Sequence, residues 1–361
     1  SANPHEHAQV ASTVVGMAGN VEVVDVRTPL PARGGRRSRR LVGAMLAVLA
    51  LLAVTAAGYA VYLHQLVSNN VVHQDLLPGG AVPTDAEAAR ADAASLGPDH
   101  PASSLPVKLA DTGLNVLVIG SDKEVAGEGW SDVIFLVHVT QKRDHVVLTR
   151  LPRDLYVTVP GHGPDQLRTA YTIGGATLLV EAVQDLLGIV VDHVAVTGFA
   201  GFRGMTDAVG GVDVLVTEPG EWPGYTFVPG TMHMDGQTAL AFVRERTGGD
   251  LSRGTRQQAF LSALMAKSLS AGGLANPVRL AGFLDAATEN LTVDRAFTVD
   301  EMRSVAFDLR GTRAGGVSFF QAPVAGSSTT PAQESVLLVD VPKMRALGDA
   351  QRTDRLVEQS D

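Results

Sequence analysis

The feature that most constrains this chain is an uncharged apolar run of 23 residues, Leu41–Leu63. At a helical rise of roughly 1.5 Å per residue the run spans about 34 Å, which is enough to cross a bilayer core of about 30 Å. The run therefore predicts a single transmembrane helix, so that everything after it folds on one side of a membrane. A buried helix of a soluble core is the alternative interpretation.

Charge is distributed unevenly around this run. The chain has a net charge of −9, yet residues 1–40 carry six Lys/Arg against three Asp/Glu, and no Lys or Arg follows the run until Arg90. The positive-inside rule therefore predicts a plasma-membrane protein with a cytoplasmic N-terminus and an extracytoplasmic remainder. Residues 1–40 lack periodicity and are interpreted as a disordered basic tail. Residues 64–110 are rich in Ala, Asp, Pro and Gly and predict a linker or stalk.

A globular domain is predicted over residues 111–350, followed by a frayed C-terminus over 351–361. It begins with NVLVI near Asn115, a short apolar run typical of a buried strand. DVIFLVHV (Asp132–Val139) and HVVLTRL (His145–Leu151) are two further strands, joined by a polar turn into an antiparallel hairpin. Strands and helices alternate afterwards, so the predicted class is α/β with a mixed, partly antiparallel central sheet flanked by helices.

Apolar spacing and capping residues place the main helices. After a loop, ATLLVEAVQDLL predicts a helix that Gly188 ends. Asp235 is a candidate N-cap for a helix through Val243, and Ser252 for the next one. Thr298 and Glu301 form a candidate capping box.

The strand order brings acidic residues together. The start of the first hairpin strand and the end of the second lie at one end of the sheet, so Asp132 neighbours the turn containing Arg153 and Asp154. If NVLVI pairs antiparallel with DVIFLVHV, Asp122 joins them. Carboxylates at strand ends are ligands of the type that Mg²⁺ takes together with phosphate oxygens and water. Each aspartate could instead cap a turn.

The stretch Val243–Gln258, VRERTGGDLSRGTRQQ, is the strongest candidate for anion binding. Arg253, Arg256 and Gln257 have i, i+3, i+4 spacing and share one face at the start of a helix, where backbone dipoles also favour an anion. Arg244 and Arg246 reach the same site only if the preceding helix ends near Arg244. Such a cluster suits a phosphate ester. Solvated arginines that pair with Glu245 or Asp250 are the alternative.

Several chemistries are excluded by residues that the chain lacks. It has no cysteine, so disulfides, thiolate metal sites and cysteine nucleophiles are excluded. GxSxG, HExxH and Walker A motifs are also absent. Nucleic-acid binding is not expected, because the globular part is acidic and the only basic run lies beside the predicted membrane helix.

Taken in order, these motifs resemble the LytR-CpsA-Psr family, membrane-anchored enzymes that move glycopolymers from polyprenyl-pyrophosphate carriers onto peptidoglycan. The resemblance runs from about Asn115 to about Val341. It rests on NVLVIGSD, the SD of GWSDVIFLVHV, LPRD, AYTIGG, VDH and GF around His193 and Phe199, GGVDV, PGTMHMDGQTALAFVRER and GDLSRGTRQQ.

The resemblance implies roles for individual residues. It implies Mg²⁺, or alternatively Mn²⁺, on Asp122 and Asp132, and it implies a lipid tunnel between sheet and helices. The implied pyrophosphate ligands are Arg153, Arg244, Arg246, Arg253 and Gln257, with Asp154 and Arg256 as secondary candidates. The chain departs from the family at Lys123 and Trp130, where arginines are usual, and Lys123 and Arg168 are candidates to compensate.

The resulting expectation is a phosphotransferase that links a glycopolymer to a peptidoglycan acceptor. The alternative is a binding or regulatory protein of the cell envelope that keeps the lipid pocket and has lost turnover, a hypothesis motivated by Lys123 and Trp130.

Overall fold

The computed structural model of this chain describes residues 35–79, 113–121, 131–245, 247–269, 276–309, 312 and 314–356. The chain divides into two compact units, Ser1–Ala57 and Gly58–Asp361, and the boundary falls inside helix α1, Gly35–Asn70. Within the described residues, one helical segment, Ala50–Asn70, is long and apolar enough to cross a membrane. Residues 35–40 of the predicted tail are helical, and residues 1–34 lie outside the described ranges.

The prediction of a linker over 64–110 is wrong for its first part. Helix α1 continues to Asn70, and the short strand β1, Val72–Gln74, joins the main sheet. Leu76 and Leu77 follow it into the core, each 6% exposed. Sequence did not reveal this because β1 has three residues and pairs with a strand more than 200 positions away. Residues 80–110 of the predicted linker lie outside the described ranges.

The remaining elements fill the second unit. The strands are β2 Leu114–Ser121, β3 Ser131–Val139, β4 Val146–Arg150, β5 Leu155–Val159, β6 Gly163–Gln166, β7 His193–Thr197, β8 Val212–Val216, β9 Gly220–Trp222, β10 Tyr225–Phe227, β11 Gly230–Met234, β12 Leu291–Asp294, β13 Val317–Gln321, β14 Val324–Thr329 and β15 Ser335–Val339. The helices are α2 Leu167–Leu187, α3 Phe199–Ala208, α4 Gly236–Arg244, α5 Gly249–Leu269, α6 Pro277–Thr288, α7 Val299–Asp308 and α8 Val341–Arg352.

Among the described residues, seven strands form the central sheet in the order β1-β12-β7-β2-β3-β4-β13. Strands β2, β3 and β4 pair antiparallel in sequence, whereas β7 runs parallel to β2 and β13 runs parallel to β4. The predicted mixed sheet and its hairpin are therefore confirmed. In the same part of the chain, β14-β15-β5-β6 form a second sheet, and β8–β11 and β9–β10 form two-stranded ribbons.

Alternation along the strands gives the sheet two apolar faces. Leu117 and Ile119 of β2 belong to the core cluster that includes α2 and α8. Val116 and Val118, on the opposite face, pack in the cluster with Leu261 of α5. Successive side chains of a strand point to opposite faces, so a short run such as NVLVI supplies both layers. Helices consequently cover both sides of the sheet.

Two helix boundaries differ from the predicted ones. Helix α2 begins at Leu167 rather than after a loop, and it is kinked at Gly174 and Gly175, where Gly175 has φ 64° and ψ −154°. Its end at Gly188, in the left-handed conformation with φ 70°, is as predicted. Helix α5 begins at Gly249, so Ser252 lies inside its first turn and is not its N-cap.

Of the two helix caps predicted at Asp235 and Thr298, the first forms as predicted and the second forms only in part. The Asp235 carboxylate accepts the backbone N–H of Thr238, as predicted. Thr298 Oγ1 likewise accepts the N–H of Glu301. The Glu301 carboxylate does not close the predicted box: its Oε1 lies 3.2 Å from His193 Nε2, and the Thr298 N–H donates to the Ala296 carbonyl.

The prediction of a frayed C-terminus is wrong for residues 351–356. Gln351 is fully buried, and Leu356 is 2% exposed. The Asp354 carboxylate lies 2.7 Å from His138 Nε2 and accepts the backbone N–H of Gln141 at 2.9 Å. These partners are about 210 positions away in sequence, so local composition did not indicate the contact. Residues 357–361 lie outside the described ranges.

Candidate active site

A cavity opens at the end of the sheet where β2 and β7 finish. Its walls are apolar and are supplied by the sheet and by helices α3, α4 and α5: Val118, Val133, Phe135, Phe199, Phe202, Met205, Leu240, Val243, Phe260 and Leu261. Its polar lining consists of Thr197, Asp132, Arg244, Arg253 and Gln257. Ligands of α/β sheets commonly bind beyond the carboxyl ends of parallel strands, and β2 and β7 both end here. The cavity thus combines a mainly apolar interior with a charged set of residues.

The turn after β4 brings a chain of alternating charges to this end. Asp132, in the second position of β3, forms an ion pair with Arg153 Nη1. Arg153 Nε lies 3.7 Å from the Asp154 carboxylate, which in turn accepts a hydrogen bond of 2.9 Å from Arg168 Nη1. The side chains of Asp132 and Arg153 are only 14% and 8% exposed. The predicted neighbourhood of Asp132, Arg153 and Asp154 is confirmed, and Arg168 extends it.

Arg244 is held at the cavity by two aromatic rings. It is the last residue of α4, and Glu245 then leaves the helical conformation with ψ 137°. The helix therefore ends at Arg244, which is the condition under which Arg244 and Arg246 could reach the same site. The Arg244 guanidinium carbon lies 4.6 Å from the ring centroid of Phe199 and 5.3 Å from that of Trp222. Cation–π contacts of this kind orient a guanidinium group and leave its edge N–H groups able to donate.

Helix α5 presents Arg253 and Gln257 to the cavity. They are one turn apart, and both are 4% exposed. Arg150, at the end of β4, donates from Nε to Gln257 Oε1 at 3.1 Å, and the Gln257 amide nitrogen lies 3.5 Å from the Val243 carbonyl. Gly254 makes this approach possible, because a Cβ there would lie 2.9 Å from Arg150 Nη1. Arg150 therefore fixes the orientation of the Gln257 amide.

Arg256 does not join its predicted neighbours in the cavity lining. Its Nη2 lies 2.7 Å from Glu245 Oε2, with side chains 5% and 1% exposed. Its other N–H groups donate to Ser252 Oγ at 2.8 Å and to the carbonyls of Thr247 and Pro219. Positions i+3 and i+4 diverge by about 100° around a helix, enough to aim Gln257 at the cavity and Arg256 at Glu245. The expectation of Arg256 as a phosphate ligand is therefore corrected to a role in holding the loop before α5.

Three predicted site residues, Asp122, Lys123 and Arg246, lie outside the described ranges, as does Trp130, where the chain departs from the family pattern. The roles of Asp122, Lys123 and Arg246 stay predictions.

Residues that were not predicted to belong to the site complete it. Phe199 and Trp222 flank Arg244, Arg150 bonds to Gln257, and the buried Thr197 Oγ1 has no hydrogen-bond partner within the described ranges. Arg150 stands three residues before Arg153, so its place at the strand end was available as a signal. Trp222 had no such signal, because its ribbon is brought to Arg244 by tertiary packing.

The opposite end of the same strands is closed by hydrogen bonds. Asn115 Oδ1 lies 2.8 Å from His138 Nδ1, and the Asn115 backbone N–H donates to Asp192. Burial lowers the pKa of His138, and this outweighs the opposing effects of the Asp354 hydrogen bond and charge.

A second closed network surrounds His193. Its Nδ1 lies 3.2 Å from Asp294, its Nε2 lies 3.2 Å from Glu301, and its ring stacks on Phe297 at 4.2 Å. Burial alone would lower the pKa of His193, but the hydrogen bond and charge of Asp294, with Glu301, raise it. These carboxylates are thus engaged within the fold.

The site and fold define a mixed α/β protein with an apolar cavity and guanidinium groups at its polar lining. A profile of the LytR_cpsA_psr family matches residues 82–353, and the chain belongs to this family.

Known relatives agree with this assignment. The chain is 36% identical over 207 residues to "Probable cell wall biosynthesis protein LcpB" of Corynebacterium glutamicum, covering 56% of this chain and 49% of that protein. It is 32% identical over 203 residues to "Polyisoprenyl-teichoic acid--peptidoglycan teichoic acid transferase TagU" of Enterococcus faecalis, covering 54% and 65%. The solved structure "TagT bound to LI-WTA" is 26% identical with a TM-score of 0.56, covering 71% of this chain and 98% of that one. The matches thus span about half to two-thirds of the length of these two curated relatives.

Proposed function

We propose that this protein transfers a glycopolymer from a polyprenyl-pyrophosphate carrier to peptidoglycan, forming a phosphodiester link during cell-wall assembly. It would act as a phosphotransferase at the plasma membrane, with its N-terminus cytoplasmic and its α/β domain extracytoplasmic. Nucleic acid has no part in this proposal.

The observation that supports the proposal best is that apolar walls and charged residues line the same cavity. A polyprenyl pyrophosphate has a long hydrocarbon chain and a doubly charged head. Phe202 and Phe260 contribute to walls that suit the hydrocarbon, because burial of apolar surface is favourable at about 25 cal/mol per Å². Arg244 and Arg253 in the same lining suit the head. A soluble phosphate ester would have no use for the apolar walls.

The guanidinium groups would bind the pyrophosphate oxygens. Arg244 and Arg253 lie in the cavity lining, Arg153 is ion-paired with Asp132 of that lining, and Arg246 is the fourth proposed ligand. Gln257, oriented by Arg150, would donate its amide N–H to a phosphate oxygen. Charge-assisted hydrogen bonds from arginine to phosphate are among the strongest available to a protein. Thr197 Oγ1 is a further donor at the wall.

A magnesium ion is part of the proposal. Asp132 is a hard oxygen donor in the cavity lining, which is the ligand type that Mg²⁺ takes beside phosphate. Asp122 is the second proposed ligand. When bound, Mg²⁺ or Mn²⁺ would neutralise charge on the pyrophosphate. Arg153 would then share Asp132 with the ion.

The residues of the chain would position the reaction more than drive it. An acceptor hydroxyl of peptidoglycan forms a bond to the glycan-bearing phosphorus, the bond from that phosphorus to the bridging oxygen breaks, and polyprenyl phosphate leaves with the electron pair. Phosphoryl transfer passes through a loose transition state, so the hydroxyl proton leaves late and a strong base is optional. Asp132 lies in the cavity lining and Asp154 does not, which favours Asp132 as the proton acceptor.

The relatives support the same substrate class. TagU is named as a transferase of teichoic acid from a polyisoprenyl carrier to peptidoglycan, and TagT has been solved bound to LI-WTA. LcpB is named for cell wall biosynthesis. We infer a glycopolymer of this general kind for the present chain.

The test is a transfer assay on the full chain in detergent, with lipid-linked glycan, Mg²⁺ and peptidoglycan acceptor. Transfer is measured as glycan attached to the acceptor and polyprenyl phosphate released. Asp132→Ala combined with Arg244→Ala is expected to abolish transfer, whereas Arg203→Ala, an exposed arginine of α3 bonded to Gln237, is expected to leave it unchanged. Undiminished transfer by the double variant would contradict the proposal. Lipid that stays bound to the parent chain without any turnover would favour a binding or regulatory protein instead.

A further inference from the structure

The last turns of helix α1 are built into the α/β unit. Tyr59, Leu63, Val67 and Asn70 are partly buried and recur at intervals of three or four residues, which places them on one face of the helix. Val61, on another face, is 57% exposed. This helix therefore does not lead into a flexible stalk, because β1 follows it directly into the sheet.

Helix α6 lies alongside this face and is joined to it at both ends. Tyr59 Oη donates to the Pro277 carbonyl at 2.6 Å. Asn70 Nδ2 donates to Asp285 Oδ1 at 2.9 Å and lies 3.2 Å from Thr288 Oγ1. Pro277 and Thr288 are the first and last residues of α6. The two helices thus run in the same direction over the length of α6.

Close packing continues from α6 to the cavity. A Cβ at Gly204 of α3 would lie 2.8 Å from Ala286 Cβ, so these helices approach as closely as a glycine allows. Phe202 and Met205 of the same helix α3 line the cavity. The position of α6 relative to a membrane therefore also sets the position of the cavity wall.

The position of Tyr59 along the predicted transmembrane helix indicates the membrane depth of the first turn of α6, to which it is bonded. Tyr59 stands four residues before the end of the apolar run Leu41–Leu63, about 6 Å along the helix. The interfacial layer on each side of a bilayer is itself on the order of 5–8 Å thick. If the run Leu41–Leu63 crosses the membrane, Pro277, bonded to Tyr59, lies near the depth where the hydrocarbon core meets the headgroups. Val278 follows it and is 79% exposed.

We propose that the first turn of α6, Pro277–Val278, lies in the outer interface of the bilayer, and that the partner of this exposed surface is the membrane itself. Tyr62 is 51% exposed, its ring centroid lies 6.2 Å from that of Tyr59, and tyrosine is a residue type common at membrane interfaces. The domain is then docked on the bilayer with its cavity at a fixed height. This inference requires α1 to span a membrane but does not depend on the reaction proposed above.

The test uses the absence of cysteine from the chain. Val278→Cys in the full chain gives a single thiol, which is labelled with a small fluorophore in nanodiscs containing lipids with headgroup nitroxides. Val341→Cys is the matched control, because Val341 is a valine in the first turn of α8, also beside a proline and 59% exposed, on a helix that packs against α2. Val61→Cys, within the apolar run, is the positive control.

The proposal predicts strong quenching at positions 278 and 61 and weak quenching at 341. Quenching at 278 no greater than at 341 would overturn it. A second measurement needs no substitution: a carbene reagent dissolved in the bilayer should label peptides containing Pro277–Val278 and spare those containing Val341. Equal labelling of both peptides, or none at Pro277–Val278, would also overturn the proposal.

Discussion

At one end of strands β2, β3 and β7, the side chains of His138 and His193 bond to carboxylates of the fold, and the Asn115 side chain bonds to His138. At the other end, Asp132 faces a cavity that Arg244 also lines. The same strands thus carry charge at both ends, but only one end presents it to a space with apolar walls. Polar groups that are paired internally contribute to stability and to its pH dependence, whereas groups that face a cavity are available to a ligand.

We therefore expect substitutions of internally paired residues to lower stability, and substitutions of cavity-lining residues to weaken ligand binding. Arg256 is the sharpest case, because it stands beside Gln257 in sequence but is paired internally like the groups of the closed end. The effects below run from the largest to the smallest expected.

Arg256→Ala should lower the free energy of unfolding by about 3–5 kcal/mol, because it leaves the buried Glu245 carboxylate without its charge partner. Chemical unfolding of the full chain in detergent measures this. Arg303→Ala breaks an exposed pair with Asp300 and should cost at most about 1 kcal/mol. If both variants lost equally little unfolding free energy, the Arg256–Glu245 pair would not be stabilising the fold and this prediction would be wrong.

Arg244→Ala should weaken binding of polyprenyl pyrophosphate by about 1.5–3 kcal/mol, roughly ten- to hundredfold, because it removes a charge-assisted hydrogen bond to phosphate. The free energy of unfolding should change much less than in Arg256→Ala. Titration calorimetry of the full chain measures the affinity, with Arg203→Ala as the arginine control outside the cavity lining. An unchanged affinity in Arg244→Ala would remove Arg244 from the ligand set.

The two histidines of the closed end should move the pH dependence of stability in opposite directions. His193 has a raised pKa, so its contribution is fully present below its unfolded value near 6.5 and is lost as pH rises through the folded pKa. His193→Gln should therefore destabilise most at acidic pH. Its effect should be smaller than that of Arg256→Ala, because only the difference between two protonation states changes.

His138 has a lowered pKa, so stability is lost as pH falls below 6.5 toward the folded pKa. His138→Gln should accordingly show its smallest relative cost at acidic pH. Unfolding free energies of both variants, measured on either side of pH 6.5, check these signs. Parallel pH profiles for the two variants would contradict the assignment of the networks.

Trp222→Leu should have the smallest effect, about 0.5–1 kcal/mol in affinity for polyprenyl pyrophosphate, since it removes one of two rings that hold Arg244. Trp222→Phe should retain part of it. In an Arg244→Ala background, Trp222→Leu should have no further effect on affinity. An additive loss there would mean that Trp222 acts independently of Arg244.

The sequence predicted the residues at the cavity end of the strands better than those at the opposite, hydrogen-bonded end. The apolar runs and the turn after β4 placed Asp132 beside Arg153, because strand order in a hairpin fixes which ends meet. The end of α4 at Arg244 also followed from the requirement that neighbouring arginines share one site.

Contacts between distant segments were not predictable in this way. The docking of Asp354 on His138, of β1 on β12 and of Trp222 on Arg244 each depends on tertiary packing across dozens to hundreds of residues. Arg256 contacts Glu245 whereas Gln257 lines the cavity, because consecutive residues of a helix are about 100° apart. The i, i+3, i+4 spacing had predicted that both lie on one face of the helix.

The most direct test of the central claim is a crystal structure of the protein with a polyprenyl pyrophosphate. We expect hydrocarbon packed against Phe202 and Phe260, and a phosphate oxygen within hydrogen-bond distance of Arg244 and Arg253. A lipid bound elsewhere, with its head away from these two arginines, would contradict it.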